Sequence, residues 1–314
     1  MKYINELQVG ERIQQIYLCK SKQRLRTKAN KDYISLALQD KTGLLDGKIW
    51  NESNAIDDFD EMDYIEVTGT VTSFQGANQL NITRVGKCSE DEYVVADYLP
   101  TSKNDIDSMY NQLLSYVNRV KQPHLRKLLE SFYVTDKDFV RSFKAHSAAK
   151  SVHHGFIGGL LEHTLNVAKL CDFYADQYPL INRDLLIAAA LFHDIGKVKE
   201  LSTFPLNDYT DEGQLLGHIF MGAEIVGERI RQIARFPKEL ELELKHCILA
   251  HHGELEYGSP KKPAIIEAVA LNYADNTDAK MQIMIEALEG ASESSQWLGY
   301  NRLLESNIKR TSSN

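Results

Sequence analysis

The chain carries ten histidines, and several stand where a metal ion would use them. His193-Asp194 closes the apolar run Leu185–Phe192 inside LLIAAALFHDIGK. A charged pair ending a buried helix needs compensation, because an unpaired buried carboxylate is costly, and a metal ion supplies it. Other candidate ligands follow in order: His163 in LLEHTLNVAKL, His218 after residues 200–217, His251-His252-Gly253 closing a helical run, and Asp275 in NYADNTDAK. The separations are 30, 24, 33 and 23 residues. Each accommodates one or two helices and a turn, so ligands from different helices can meet in one bundle interior. Six or seven ligands exceed what a structural site uses. Mixed imidazole and carboxylate donors suit Mn, Co, Fe or Zn better than Mg.

Nearby residues carry two readings each. Lys197 is either a point-charge clamp on a phosphate or a lysine complementing a helix C-terminus. His153 and His154, ahead of Gly155, either bond a terminal phosphate or leaving group or line a loop. Asp278 reads first as a helix cap and second as support for the ligands. Glu162 reads as solvent-facing. Trp297, Tyr300 and Arg302 read first as core packing, with substrate stacking or a subunit contact as alternatives.

The elements that position these residues fall into two blocks. Residues 1–90 read as five strands with a short helix-compatible stretch, Asn51–Phe59, between the third and fourth. That order is the one a five-stranded OB barrel requires. Residues 91–159 read as linker and connecting helices, with residues 91–105, containing Pro100, as the linker itself. Residues 160–290 read as an all-α bundle, including helices Leu160–Tyr174, Arg183–Phe192, Ile219–Ile233, Leu240–Ala250 and Ala264–Tyr273. Residues 291–314 read as a C-terminal helix and frayed tail.

The constellation H…HD…H…HH…D resembles the HD superfamily of metal-dependent phosphohydrolases. The strings ALQDKTGLLDGKIW, HHGFIGGLLEHTL, HDIGK, HHG and NYADNTDAK together resemble the YhaM family of bacterial 3′–5′ exoribonucleases, over nearly the whole chain. The resemblance implies single-stranded RNA, and also single-stranded DNA, shortened from the 3′ end to nucleoside 5′-monophosphates with Mn- or Co-type ions. It implies that His163, His193, Asp194 and Asp275 hold one ion. A second would share Asp194 with His218, His251 and His252, a bridge whose oxygens serve ions about 3.5–4 Å apart. A mononuclear site stays open. Asp194, Lys197 and His154 are the residues expected to do the chemistry.

Overall composition is that of an ordinary globular chain: 314 residues, 43% hydrophobic, 25% charged, near two domains by length. Cys19, Cys88, Cys171 and Cys247 show no disulfide or zinc spacing. No apolar run reaches membrane length, so a reducing cytoplasm and no membrane partner are expected. The net charge of −8 argues against a nucleic-acid partner, but the average conceals a local feature. Lys20, Lys22, Arg24, Arg26, Lys28 and Lys31 form an acid-free basic stripe. In the barrel reading it connects the first two strands, where an OB fold places a binding loop. Tyr33, Trp50 and Phe74 are the aromatics on which bases would stack. Two other classes compete: a small-nucleotide phosphohydrolase with a regulatory OB domain, and a single-stranded-DNA-binding replication accessory protein. Against a cyclic-dinucleotide hydrolase, Gly253-Glu254-Leu255 follows His252 where a GYP signature would stand. Oligomeric state stays open, a homo-oligomer included.

Overall fold

A computed structural model describes residues 2–27, 30–50, 55–74, 77–150, 154–289 and 296–312. The chain divides into two compact units, Met1–Thr101 and Ser102–Asn314.

In the first unit, β1 (Arg12–Arg26), β2 (Asp32–Asp40), β3 (Gly43–Ile49), β4 (Tyr64–Phe74) and β5 (Ala77–Lys87) close a barrel in the order β1-β2-β3-β5-β4. Antiparallel pairing of β1 with β4 and parallel pairing of β3 with β5 complete the circle. This is the OB-like barrel the strand order predicts. Period-two alternation fills it: Ile34, Leu36 and Leu38 of β2 are buried between less buried neighbours. The helix expected within Asn51–Phe59 is not formed over 55–59. There Ile56 bridges Val85, and Asp57 N–H donates to the Val85 carbonyl at 3.1 Å. Asn51–Asn54 lie outside the described residues. Residues 91–101 are not a free linker. Tyr98 and Leu99 are buried, the Tyr98 ring stands edge-on to Tyr64, and Lys41 N–H donates to the Asp97 carbonyl at 2.9 Å. Apolar burial thus keeps this segment on the barrel.

The second unit contains α1 (Ile106–Arg119), α2 (Pro123–Glu130), α3 (Lys137–Ala145), α4 (Gly159–Gln177), α5 (Arg183–Phe192), α6 (Lys197–Glu200), α7 (Asp211–Arg231), α8 (Lys238–Ala250) and α9 (Ile266–Glu289). The helices before residue 160 are more than connectors. Met109, Leu113, Leu128, Phe132 and Phe143 share one core with Leu161, Leu186, Leu244 and Leu271. Helix α5 is buried from Leu185 to Phe192, as a helix apolar all round must be, and its N-terminus is capped by Asn182.

Three boundaries differ from the sequence reading. Helix α9 runs past Tyr273 because ADNTDAKMQIMIEALE has neither Gly nor Pro to stop it. Helix α7 begins at Asp211 behind a Thr210 cap, well before His218. The C-terminal segment holds a hairpin, β6 (Trp297–Asn301) with β7 (Ser306–Lys309), rather than a helix and frayed tail. Its Ile308 is buried, whereas Trp297 (62% exposed), Tyr300 (63%) and Arg302 face solvent. They are therefore not core residues: a two-stranded hairpin has only one side to bury. Among the described residues no helix is long and apolar enough to cross a membrane.

Candidate metal centre

Two helix ends, two helix interiors and the break within α7 deliver the candidate ligands. His193 follows the last residue of α5, and His251 follows the last residue of α8. Each turns its Nδ1–H back to the carbonyl three residues earlier, Ala190 at 2.8 Å and Ile248 at 2.7 Å. These bonds satisfy carbonyls that a helix end leaves open. His163 lies in the first turns of α4, while Asp275 and Asp278 lie inside α9. His218 follows Gly217, whose φ of 72° breaks α7 into two segments. The turn after Asp194 is pressed onto this part of α7. A Cβ at Gly196 would lie 2.0 Å from the His218 carbonyl oxygen, so only glycine permits that approach.

All five imidazoles share one orientation. His163 Nδ1 donates to Asp278 at 2.7 Å, His218 Nδ1 to Glu200 at 2.9 Å and His252 Nδ1 to the Tyr257 carbonyl at 2.7 Å. With each Nδ1–H committed outward, Nε2 is the nitrogen each ring turns inward, where a metal would replace any proton it carries. The Nε2 atoms gather around Asp194 in two groups. Its Oδ2 lies 3.4 Å from His163 Nε2 and 3.5 Å from His193 Nε2. Its Oδ1 lies 3.5 Å from His218 Nε2 and 3.6 Å from His251 Nε2. Asp275 Oδ1 completes the first group, 3.1 Å from His163 Nε2. His252 completes the second, its ring 4.3 Å from that of His251.

Asp194 Oδ1, His218 Nε2 and His251 Nε2 are buried without a hydrogen-bond partner. Native proteins rarely leave such atoms unpaired unless a ligand uses them. The donor set therefore fits divalent metal ions, with Asp194 shared between two positions.

Electrostatics sharpen the contrast between the groups. Burial opposes charge on His163, but Asp194, Asp275 and Asp278 outweigh it and hold its pKa well above the usual histidine value. Burial, reinforced by His252 and His193, holds His251 well below that value, as a neutral ligand. Asp194 stays ionised: Lys197 and His193 overcome its burial. The Lys197 ammonium sits 2.6 Å from Asp194 Oδ2. It opens α6 rather than ending a helix, so the helix-dipole reading does not apply.

Some expected roles shift. Asp278 is no helix cap; it accepts from His163. His154 is wholly buried and donates from Nε2 to Asp278 at 2.9 Å, which places it behind His163 rather than beside a bound phosphate. His153 lies outside the described residues. Glu162 is half-buried and bonded to Ser102. Sequence reasoning missed Glu200, which accepts both the N–H and Nδ1–H of His218. Its place at the end of HDIGKVKE, with no periodic signal, gave no reason to pair it with a histidine 18 residues on. Glu200→Gln removes the charge behind His218. Loss of such outer partners typically costs about 10–100-fold in metal affinity. In a calorimetric Mn(II) titration we expect that weakening at one of two sites, with the other unchanged.

The basic stripe is not a loop. Through Arg26 it continues β1, paired with β2 as Lys22↔Leu36, Arg24↔Ile34 and Arg26↔Asp32. An irregularity between Cys19 and Ser21 falls on Lys20 and reverses the inside–outside alternation. Lys22, Arg24 and Arg26 consequently share the side of Ile34 and Leu36. Lys22 bonds the Phe59 carbonyl and lies 4.1 Å over the Phe59 ring. Arg26 pairs with Asp32 at 2.8 Å, Lys31 is exposed, and Lys28 lies outside the described residues. Tyr33 and Trp50 occupy the opposite, outer side, stacked at 4.9 Å, with Trp50 Nε1–H donating to Asn81 at 3.0 Å. Stripe and aromatics therefore do not form the single track expected. Phe74 is exposed at the end of β4.

Barrel and metal cage together define a metal-dependent phosphohydrolase of the HD class joined to an OB-like module. The HD domain family description matches residues 160–280. Proteins named 3′-5′ exoribonuclease YhaM from Bacillus velezensis (strain DSM 23117 / BGSC 10A6 / LMG 26770 / FZB42) and Bacillus subtilis (strain 168) are each 35% identical to this chain over 294 residues, covering 90% of it and 89% of the relative. The protein of that name from Listeria innocua serovar 6a is 32% identical over 294 residues, covering 92% and 91%. The chain belongs to the YhaM family of 3′–5′ exoribonucleases.

Proposed function

We propose that this chain shortens single-stranded RNA, and single-stranded DNA, from the 3′ end and releases nucleoside 5′-monophosphates, with Mn(II) as its metal. The observation that carries this reading is the convergence of five Nε2 atoms, Asp194 and Asp275 in one buried cage. His163, His193, Asp194 and Asp275 would hold one ion, and Asp194, His218, His251 and His252 would hold a second. Such ions, when bound, lower the pKa of water and neutralise charge building on phosphoryl oxygens.

The chain's own residues do the remaining work. Asp194 divides its two oxygens between the ion positions. Lys197 brings an ammonium to the non-bridging phosphate oxygens as a point charge. Outward hydrogen bonds fix each imidazole in its ligating tautomer. In the barrel, the stacked Tyr33–Trp50 pair on the outer side offers bases a π-face, while Arg24 and Arg26 on the opposite side of the β1–β2 pair, with Lys31, add positive charge that draws the strand toward the barrel without forming one track with the aromatics. A reducing cytoplasmic setting agrees with four free cysteines.

The test is a 5′-labelled single strand incubated with the protein and Mn(II). A ladder shortening from the 3′ end with 5′-monophosphates is expected. An intact strand, or immediate release of the label, overturns the reading, and hydrolysis confined to free nucleotides supports the small-nucleotide alternative. Charge reversal at Arg24 and Arg26 is expected to weaken strand binding and flatten its salt dependence by about 0.7 per lost contact. Hydrolysis of bis-p-nitrophenyl phosphate, which needs no track, stays unchanged.

A further inference from the structure

We infer that His154 is a positioning residue for the metal centre, acting through Asp278 on His163. The inference rests on the metal-centre reading above. Three observations carry it. First, one carboxylate oxygen, Asp278 Oδ2, accepts from both His154 Nε2 at 2.9 Å and His163 Nδ1 at 2.7 Å. His163 is thereby held with Nε2 facing Asp275 and Asp194, the orientation a metal between them requires. Without a second donor, the Asp278 carboxylate could turn to offer His163 its other oxygen or none.

Second, the backbone is built to hold His154 there. The residue has φ 61°, a region a side chain other than glycine's seldom adopts. Its carbonyl accepts from Ala148 N–H at 3.0 Å. That carbonyl lies 2.0 Å from where a Cβ on Gly159 would stand, so α4, which carries His163, starts directly against it. Third, the His154 ring is wholly buried and its Nδ1 has no hydrogen-bond partner, so Asp278 is the one polar group the ring bonds among the described residues. His154, His163 and Asp278 also lie close enough to one another to hold a cation themselves. Both contacts are hydrogen-bond lengths, however, and His163 would then have to bind metal through both nitrogens.

The test compares His154→Ala, His154→Gln, His154→Leu and the unsubstituted chain by calorimetric Mn(II) titration and circular dichroism. The unsubstituted chain is expected to bind two ions. His154→Ala is expected to fold and to bind one of them about 10–100-fold more weakly. His154→Gln, whose amide can still donate to Asp278, recovers most of the loss, whereas His154→Leu, which fills the space without a donor, does not. Equal binding by the Ala variant, equal weakening at both sites, no rescue by Gln, or equal rescue by Leu overturns the inference. A third ion that disappears in His154→Ala also overturns it, in favour of a cation site. Absence of any metal binding by the unsubstituted chain instead removes the metal-centre reading. Should the Ala variant fail to fold, imidazole nitrogen NMR of the unsubstituted, Zn(II)-loaded protein decides. Protons on His163 Nδ1 and His154 Nε2 are expected, and either proton on the other nitrogen overturns the inference.

Discussion

Asp194→Asn is expected to lower exonuclease turnover by at least about 10³-fold, a barrier increase of roughly 4 kcal/mol at 1.36 kcal/mol per tenfold. Single-strand affinity should meanwhile change by less than about twofold, because the barrel contacts are untouched. The size follows from geometry. Among the described residues, Asp194 is the one side chain whose two oxygens face both imidazole groups, Oδ2 toward His163 and His193 and Oδ1 toward His218 and His251. Asparagine preserves volume but keeps a single acceptor oxygen and turns an NH₂ group toward imidazole lone pairs. One ion position loses its carboxylate and the other meets a donor where it needs an acceptor. The substitution also strips Lys197 of its counter-charge at 2.6 Å. A melting point below that of the unsubstituted metal-free chain should accompany the loss. Turnover on a labelled oligoribonucleotide with Mn(II), beside strand binding without metal, checks both halves. Activity near that of the unsubstituted chain would remove Asp194 from the mechanism.

The convergence of these candidate ligands is legible in the sequence because they are few residue types at helix-scale intervals. His163, His193, Asp194, His218, His251, His252 and Asp275 converge in the fold as the ordered series suggested. What supports them was less legible, for a physical reason. Asp278 and Glu200 act by accepting from Nδ1 of residues 115 and 18 positions away. No local period records such a bond. Apolar spacing alone places Arg183–Phe192, and the fold adds the Asn182 cap. A spacing that ends at Tyr273 puts Asp275 at a helix end, yet the absence of a breaker lets α9 continue. Side-chain period and a position between the first two strands suggest a binding loop, whereas through Arg26 the stripe continues β1 past an irregularity at Lys20. Residue type suggests core for Trp297 and Tyr300, although a hairpin of two strands exposes one side.

Lys197→Met is the second large effect, and its two components have opposite signs. Burial works against charge on Lys197, but Asp194 outweighs it and keeps the pKa above the usual lysine value. The ammonium therefore stands as a resident cation at Asp194 Oδ2, the oxygen that serves the first ion position. Methionine fills a similar volume without charge. Removing that competitor should tighten binding of the ion at this position, because like charges at close range repel strongly in a site of low effective dielectric. Removing a positive charge beside the phosphate should also cost about 10²-fold in kcat, as for one lost electrostatic donor to a transition state. The fall should appear in kcat more than in KM if the charge acts on oxygens that become more negative as the bond breaks. Mn(II) calorimetry and steady-state kinetics on one preparation separate these terms. Tighter metal with slower turnover fits a lysine that yields Asp194 to the ion and serves the phosphate. Weaker metal together with slower turnover would mean that Lys197 only braces the cage, and its place in the mechanism would be lost.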